Sequence, residues 1–307
     1  MANATPSSNI IVHRAGNSKK PNPFTIVIVS NPALESTRGS GHFVIDPITA
    51  NHAAFASCAA YIETSLFGGL PGQAPALLAD PAIAPEVRVV SLFVTGLAAV
   101  DANCLVAEDN VSNLVMTRRT RFVPFLASYG LSGDVIYAVT GSTSHTRASA
   151  YFTSDDDAQP GNGFSLDGVA FCHRYEYIIP GTIALPVGST SITAVHEFGH
   201  ALSSYSNGMI VDLYVDDGPG VNSKRARPIP PSFANYDGTV MGSDPVRDGL
   251  GYPVGWQSYH CELLVKANPA IMDDYWLAPG GVPEACQHDR ITEQFLKDRL
   301  LAKISRP

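Results

Sequence analysis

Three apolar runs limit what this chain can fold into. Phe24–Asn31 (F-T-I-V-I-V-S-N) is a continuous β-branched stretch ended by Asn-Pro, and Val87–Val94 (V-R-V-V-S-L-F-V) is a second such run. Runs without polar alternation read as buried strands. Between them, Thr49–Leu66 carries Ala53, Ala54, Ala56, Ala59, Ile62 and Leu66 at helix-like intervals, and the turn-forming G-G-L-P-G-Q-A-P follows. A helix laid on the sheet there makes a strand–helix–strand unit, with a right-handed crossover and parallel strands. Asp134–Thr140 (D-V-I-Y-A-V-T) supplies a third strand.

A second constraint is chemical. His196 and His200 stand four residues apart in T-A-V-H-E-F-G-H-A-L, so on a helix both imidazoles project from one face. Glu197 lies about 100° further round the same cylinder. In this H-E-x-x-H arrangement two neutral imidazoles hold zinc, and the adjacent carboxylate can take a proton from water on the metal. Ser189, Thr190 and Ser191 are candidate N-caps. Val195, Phe198, Leu202 and Tyr205 form an apolar stripe, and Asn207-Gly208 offers a helix stop. Two helical histidines can instead be core residues satisfied by hydrogen bonds. The helix signals on both sides, together with acidic and histidine residues downstream, favour a zinc site.

Composition narrows the partners. Of the 307 residues 45% are hydrophobic and 16% charged, which suits a well-packed globular core. A net charge of −8 without a basic block gives no footprint for nucleic acid or an anionic membrane. The polar stretch 1–22 reads as a flexible arm and not as a signal peptide, and no apolar run reaches the length of a membrane span. A cytoplasmic location is the expectation. Cys58, Cys104, Cys172, Cys261 and Cys286 lack C-x-x-C spacing and read as buried thiols, with one or two disulfides as the alternative.

Elsewhere the signals are weaker. Arg118, Arg119 and Arg121 form a basic cluster that reads as a solvated face, with a substrate-carboxylate contact as the alternative. Ser154–Gly168 is a turn-rich loop whose aspartates are solvated or bind calcium. Of Val169–His173, Tyr175–Ile179 and Thr182–Pro186, the last is expected to be the edge strand beside the cleft, because its proline suits an edge. Such an edge can bind an extended peptide through the main chain. A long Pro/Gly-rich segment follows the histidine helix. Leu296, Leu300 and Ile304, with Ile291 and Phe295 alongside, predict a helix over about 289–304. The expected organisation is one catalytic domain over 23–307, with lobes of about 23–208 and 209–307.

A catalytic zinc takes three protein ligands and keeps one position for water. The extended H-E-x-x-H-x-x-G-x-x-H signature is absent, since serines occupy 203 and 206. The third ligand is therefore sought among Asp212, His260, Glu262 and His288. Asp212 is within chain reach of the metal, four residues past Gly208. His260 and Glu262 share one face of a strand, and His288 reads as a surface or capping residue.

V-H-E-F-G-H-A-L followed by V-D-L-Y resembles the IgA-peptidase-like zinc metallopeptidase family of bacteria. The resemblance implies His196 and His200 as ligands, Glu197 as base, Asp212 at the family's aspartate and Tyr214 at its tyrosine, with Leu213 in place of its glutamate. N-P-A-I-M-D-D-Y-W (Asn268–Trp276) looks like the Met-turn of metzincin peptidases, with Met272 beneath the metal and Tyr275 near it. The fold so implied is α+β and zincin- or metzincin-like. It has a twisted mixed sheet with helices in the N-terminal lobe, an active-site helix, and an irregular C-terminal lobe ending in a helix. The expected activity is zinc-dependent endopeptidase cleavage of a protein or peptide substrate, with Glu197 moving the proton and Tyr275 or His260 stabilising the oxyanion. A non-catalytic metal- or peptide-binding protein on this fold and a zinc amidase are the alternatives.

Overall fold

The three sequence-predicted strands are neighbours in the middle of a six-stranded sheet. The computed structural model describes residues 8–69, 76–109, 113–151, 153, 165–166, 169–170, 179–203, 271–272, 288 and 290–305. Strands β1 (Ser8–Ala15), β2 (Phe24–Ser30), β3 (Ala33–Glu35) and β4 (Phe43–Ile45) lead into helix α1 (His52–Gly68). Strands β5 (Val87–Val94), β6 (Cys104–Asp109) and β7 (Leu114–Thr117) precede the short helix α2 (Phe122–Ala127). Then come β8 (Val135–Thr140), β9 (Ser149–Tyr151), the hairpin strands β10 (Ser165–Leu166) and β11 (Val169–Ala170), and β12 (Gly181–Pro186). Helices α3 (Ser191–Leu202) and α4 (Arg290–Ile304) complete the described elements.

The large sheet runs β1-β5-β2-β8-β12-β9. Its four inner strands are parallel, and the strands at both edges are antiparallel to them. A smaller sheet, β4-β3-β6-β7, is also mixed, so the fold is α+β. All seven residues of β2 are buried because the sheet is covered on both sides. Ile26 and Ile28 join the core formed with α1, α3 and α4, while Val27 and Val29 join a second core with β6, β7 and α2. This two-sided burial is why the run shows no alternation. The β2–α1–β5 unit has the parallel pairing its sequence predicts. Asn51 caps α1 by accepting from the Ala54 amide at 3.0 Å. Among the described residues no helix is long and apolar enough to cross a membrane.

Four expectations are corrected. Residues 8–15 of the expected arm are a strand, antiparallel to β5 from Ser8↔Val94 to Ala15↔Arg88. The short run Ile10-Ile11-Val12 gains a full ladder there, and His13 bonds Ser91 at 2.8 Å while Arg14 bonds Glu63 at 2.8 Å. Strand β12 is not an edge, since β8 and β9 pair with its two sides. Pro186 is tolerated because it is the last residue of the strand. The edge is β9. The arginine cluster is not a solvated face either. Arg119 is buried against the Tyr151 ring, Arg118 reaches Asp101 at 2.5 Å and Glu35 at 3.4 Å, and Arg121 pairs with Asp101. Finally, α3 ends at Leu202, ahead of the predicted stop at Asn207-Gly208. Cys58 and Cys104 are buried free thiols, whereas Cys172, Cys261 and Cys286 lie outside the described residues. Most of the loop 154–168 and of the expected lobe 209–307 also lies outside them.

Candidate metal centre

Helix α3 is laid directly on the strand that precedes it. After β12 the chain turns, with the Ser189 amide bonded to the Pro186 carbonyl at 2.9 Å, and Thr190 caps the helix through the Thr193 amide. The helix then runs back along the sheet until the carbonyl of Ala201 stands beside Gly181. A Cβ built at Gly181 would lie 2.0 Å from that oxygen. Ile192, Val195, Phe198 and Leu202 enter the core as the apolar stripe requires. Helix ends leave carbonyls unsatisfied, and here Thr153 meets two of them. Its amide donates to Ser203 O at 2.9 Å, and its hydroxyl donates to Ala201 O at 3.2 Å.

On the other face, His196 and Glu197 are each 5% exposed and His200 is partly exposed. The Nε2 atoms of His196 and His200 are 3.1 Å apart, with ring planes at 87° and centroids 4.7 Å apart. His196 Nδ1 lies 2.6 Å from the main-chain carbonyl of Ile271. A carbonyl can only accept, so Nδ1 is the donor in that bond, and Nε2 is the nitrogen left on the His200 side. Zinc–nitrogen bonds of about 2.0–2.1 Å at a tetrahedral angle put two nitrogens about 3.3 Å apart. The observed 3.1 Å is within a few tenths of an ångström of that separation, and it is also the length of a direct hydrogen bond between the two rings. Carbonyl-anchored imidazole is also the common arrangement behind a zinc ligand. The two histidines therefore fit a zinc ion.

The segment that supplies the carbonyl also packs under the helix. Met272 is fully buried, and its sulfur lies 2.7 Å from where a Cβ at Gly199 would be. Glycine in a helix interior costs about 1 kcal/mol relative to alanine, and this close approach is the reason for one here. His288 is also in this packing, with its Cε1 3.8 Å from the same point and both ring nitrogens buried. It is thus not the surface or capping residue its sequence position suggests. It packs beneath α3 just ahead of α4.

Among the described residues no third His, Cys, Asp or Glu joins the histidine pair. Asp212, His260 and Glu262, the residues considered for that place, lie outside the described residues, as do Tyr214 and Tyr275. Two contributors carry little sequence signal. The Ile271 carbonyl is a main-chain group, and Tyr137, whose hydroxyl donates to the Ala194 carbonyl at 2.8 Å, reads only as a strand residue. Burial pushes the Tyr137 hydroxyl well above the ordinary tyrosine range, and negative charge on Tyr61, Glu197 and Cys58 adds to the effect. In comparisons with known proteins, no family model and no curated protein matches the chain.

Proposed function

We propose that the chain is a zinc-dependent metalloendopeptidase with a zincin-like catalytic domain related to the IgA-peptidase-like enzymes. The observation that carries this reading is the pair of Nε2 atoms 3.1 Å apart, one of them on a ring whose Nδ1 is committed to the Ile271 carbonyl. His196 and His200 hold the metal together with a third ligand, for which Asp212 is the first choice and His260 or Glu262 the other. When bound, zinc supplies a Lewis acid that acidifies a water and polarises a peptide carbonyl.

Glu197 follows His196 directly on α3, and its buried position keeps the carboxylate away from bulk water. It takes the proton of the attacking water and delivers it to the leaving amine. Tyr275 or His260 donates to the oxyanion. An extended peptide substrate binds beside the centre through main-chain hydrogen bonds.

Glu197→Gln tests the reading. The variant is expected to bind one zinc per chain, as the wild type does, and to lose cleavage of a broad peptide library by at least about a hundredfold, the contribution of a general base. A wild-type chain that binds no zinc, or a Glu197→Gln chain that cleaves like wild type, refutes it.

A further inference from the structure

Tyr137 sits in the middle of β8 and is the largest fully buried side chain among the described residues. Phenylalanine would serve the packing equally well, and a hydroxyl in an apolar core is tolerated only when it is bonded. This one donates to the carbonyl of Ala194 at 2.8 Å. Ala194 is on α3, two residues before His196 and three before Glu197. The anchor itself is firm, because β8 is paired with β2 on one side and β12 on the other.

Close packing fixes a helix against its neighbours only to within the compliance of the side chains between them. A directional hydrogen bond from the sheet to the helix main chain narrows that range. At the other end of α3, Thr153 acts on the carbonyls of Ala201 and Ser203. The histidine motif lies between these two fixed points. The Tyr137 hydroxyl is moreover a permanent donor, because burial above all, with the nearby Glu197 carboxylate adding to it, keeps it protonated.

We infer that Tyr137 is a positioning residue for the metal centre. Through the Ala194 carbonyl it sets α3 along its axis so that His196 Nδ1 meets the Ile271 carbonyl while Nε2 faces His200. This inference rests on the zinc reading above and adds a determinant of metal affinity that touches no ligand.

The test compares the full-length wild type with Tyr137→Phe. Zinc affinity is measured by competition with a chromophoric chelator, together with the zinc-induced rise in Tm and the visible spectrum of the Co2+-substituted chain. Tyr137→Phe is expected to bind zinc about 3- to 10-fold more weakly, the worth of one hydrogen bond. It should also show a smaller zinc-induced rise in Tm and an altered cobalt spectrum. A hydroxyl with only a structural role would lower Tm equally with and without zinc and leave affinity and spectrum unchanged, and that result overturns the inference. Should Tyr137→Phe fail to fold, 4-aminophenylalanine at 137 keeps a donor in the same place. That variant is expected to fold and to match wild-type zinc affinity within about twofold, and clearly weakened affinity in it overturns the inference. A wild type that binds no zinc refutes the metal reading itself, whereas unchanged zinc binding by Tyr137→Phe refutes only the role of Tyr137.

Discussion

Replacing Gly181 by alanine should part helix α3 from strand β12. The new Cβ would lie 2.0 Å from the Ala201 carbonyl oxygen, 2.6 Å from its carbon and 3.0 Å from its Cα. A carbon and a carbonyl oxygen come no closer than about 3.3 Å, so the two backbones must separate by more than about 1 Å. Neither side gives way easily. Strand β12 is hydrogen-bonded to β8 and β9, and the Ala201 oxygen also accepts from Thr153 at 3.2 Å. The cost therefore belongs at the upper end of the overpacking range, about 3 kcal/mol. At roughly 2 °C per kcal/mol for a chain of this size, Tm should fall by about 6 °C. Urea unfolding and thermal scans of Gly181→Ala measure this against Gly188→Ala, where an added Cβ meets nothing within 4 Å. The control should stay within about 0.5 kcal/mol of wild type. A Gly181→Ala chain as stable as the control refutes the close approach of α3 to β12.

Asp46→Asn should destabilise the chain by about 2–3 kcal/mol, because one oxygen accepts from Asn31 and Thr140 and the other from the amides of Ile48 and Gly141. An amide NH2 would face the Ile48 and Gly141 amides on one side or the Asn31 NH2 on the other, and urea midpoints within error of wild type would contradict that. Cys58 gives a pH signature, since burial pushes its thiol up to about 11 from an ordinary 9.0. The thiol of the unfolded chain ionises first as pH rises, so its contribution is intact below 9.0 and lost on passing about 11. The loss is on the order of 2–3 kcal/mol. The alkaline decline in urea midpoint should be shallower in Cys58→Ala, and identical slopes in the two chains would exclude the effect. Native Cys58 should also resist iodoacetamide at pH 8 until urea unfolds the chain, as peptide mass mapping would register.

What the sequence discloses here is what local pattern determines. Strands β2, β5 and β8 are continuous apolar runs, and the cap, stripe and histidine spacing of α3 all fall within a dozen residues. Strand β1 is concealed because three apolar residues sit in a polar stretch, and their partner β5 is more than 70 residues away. The position of β12 is equally non-local. Its proline suggests an edge, but the short strand β9 pairs beyond it. Arg119 reads as solvated on charge alone, yet the ring of Tyr151 covers it. At the site, the histidine pair is legible from spacing. The groups that orient it are not, since a main-chain carbonyl at 271 and a hydroxyl at 137 leave no pattern. Gly199 does leave a trace, because glycine inside a strong helix motif marks a close neighbour, here Met272.

The bond between His196 and the Ile271 carbonyl spans 75 residues. During synthesis the helix is made well before the residue that orients its first imidazole, so a nascent chain ending near residue 203 has both histidines but not the carbonyl that holds the His196 ring. On the zinc reading proposed above, the order of synthesis puts the orienting carbonyl last, and the centre is complete only once residue 271 has been added.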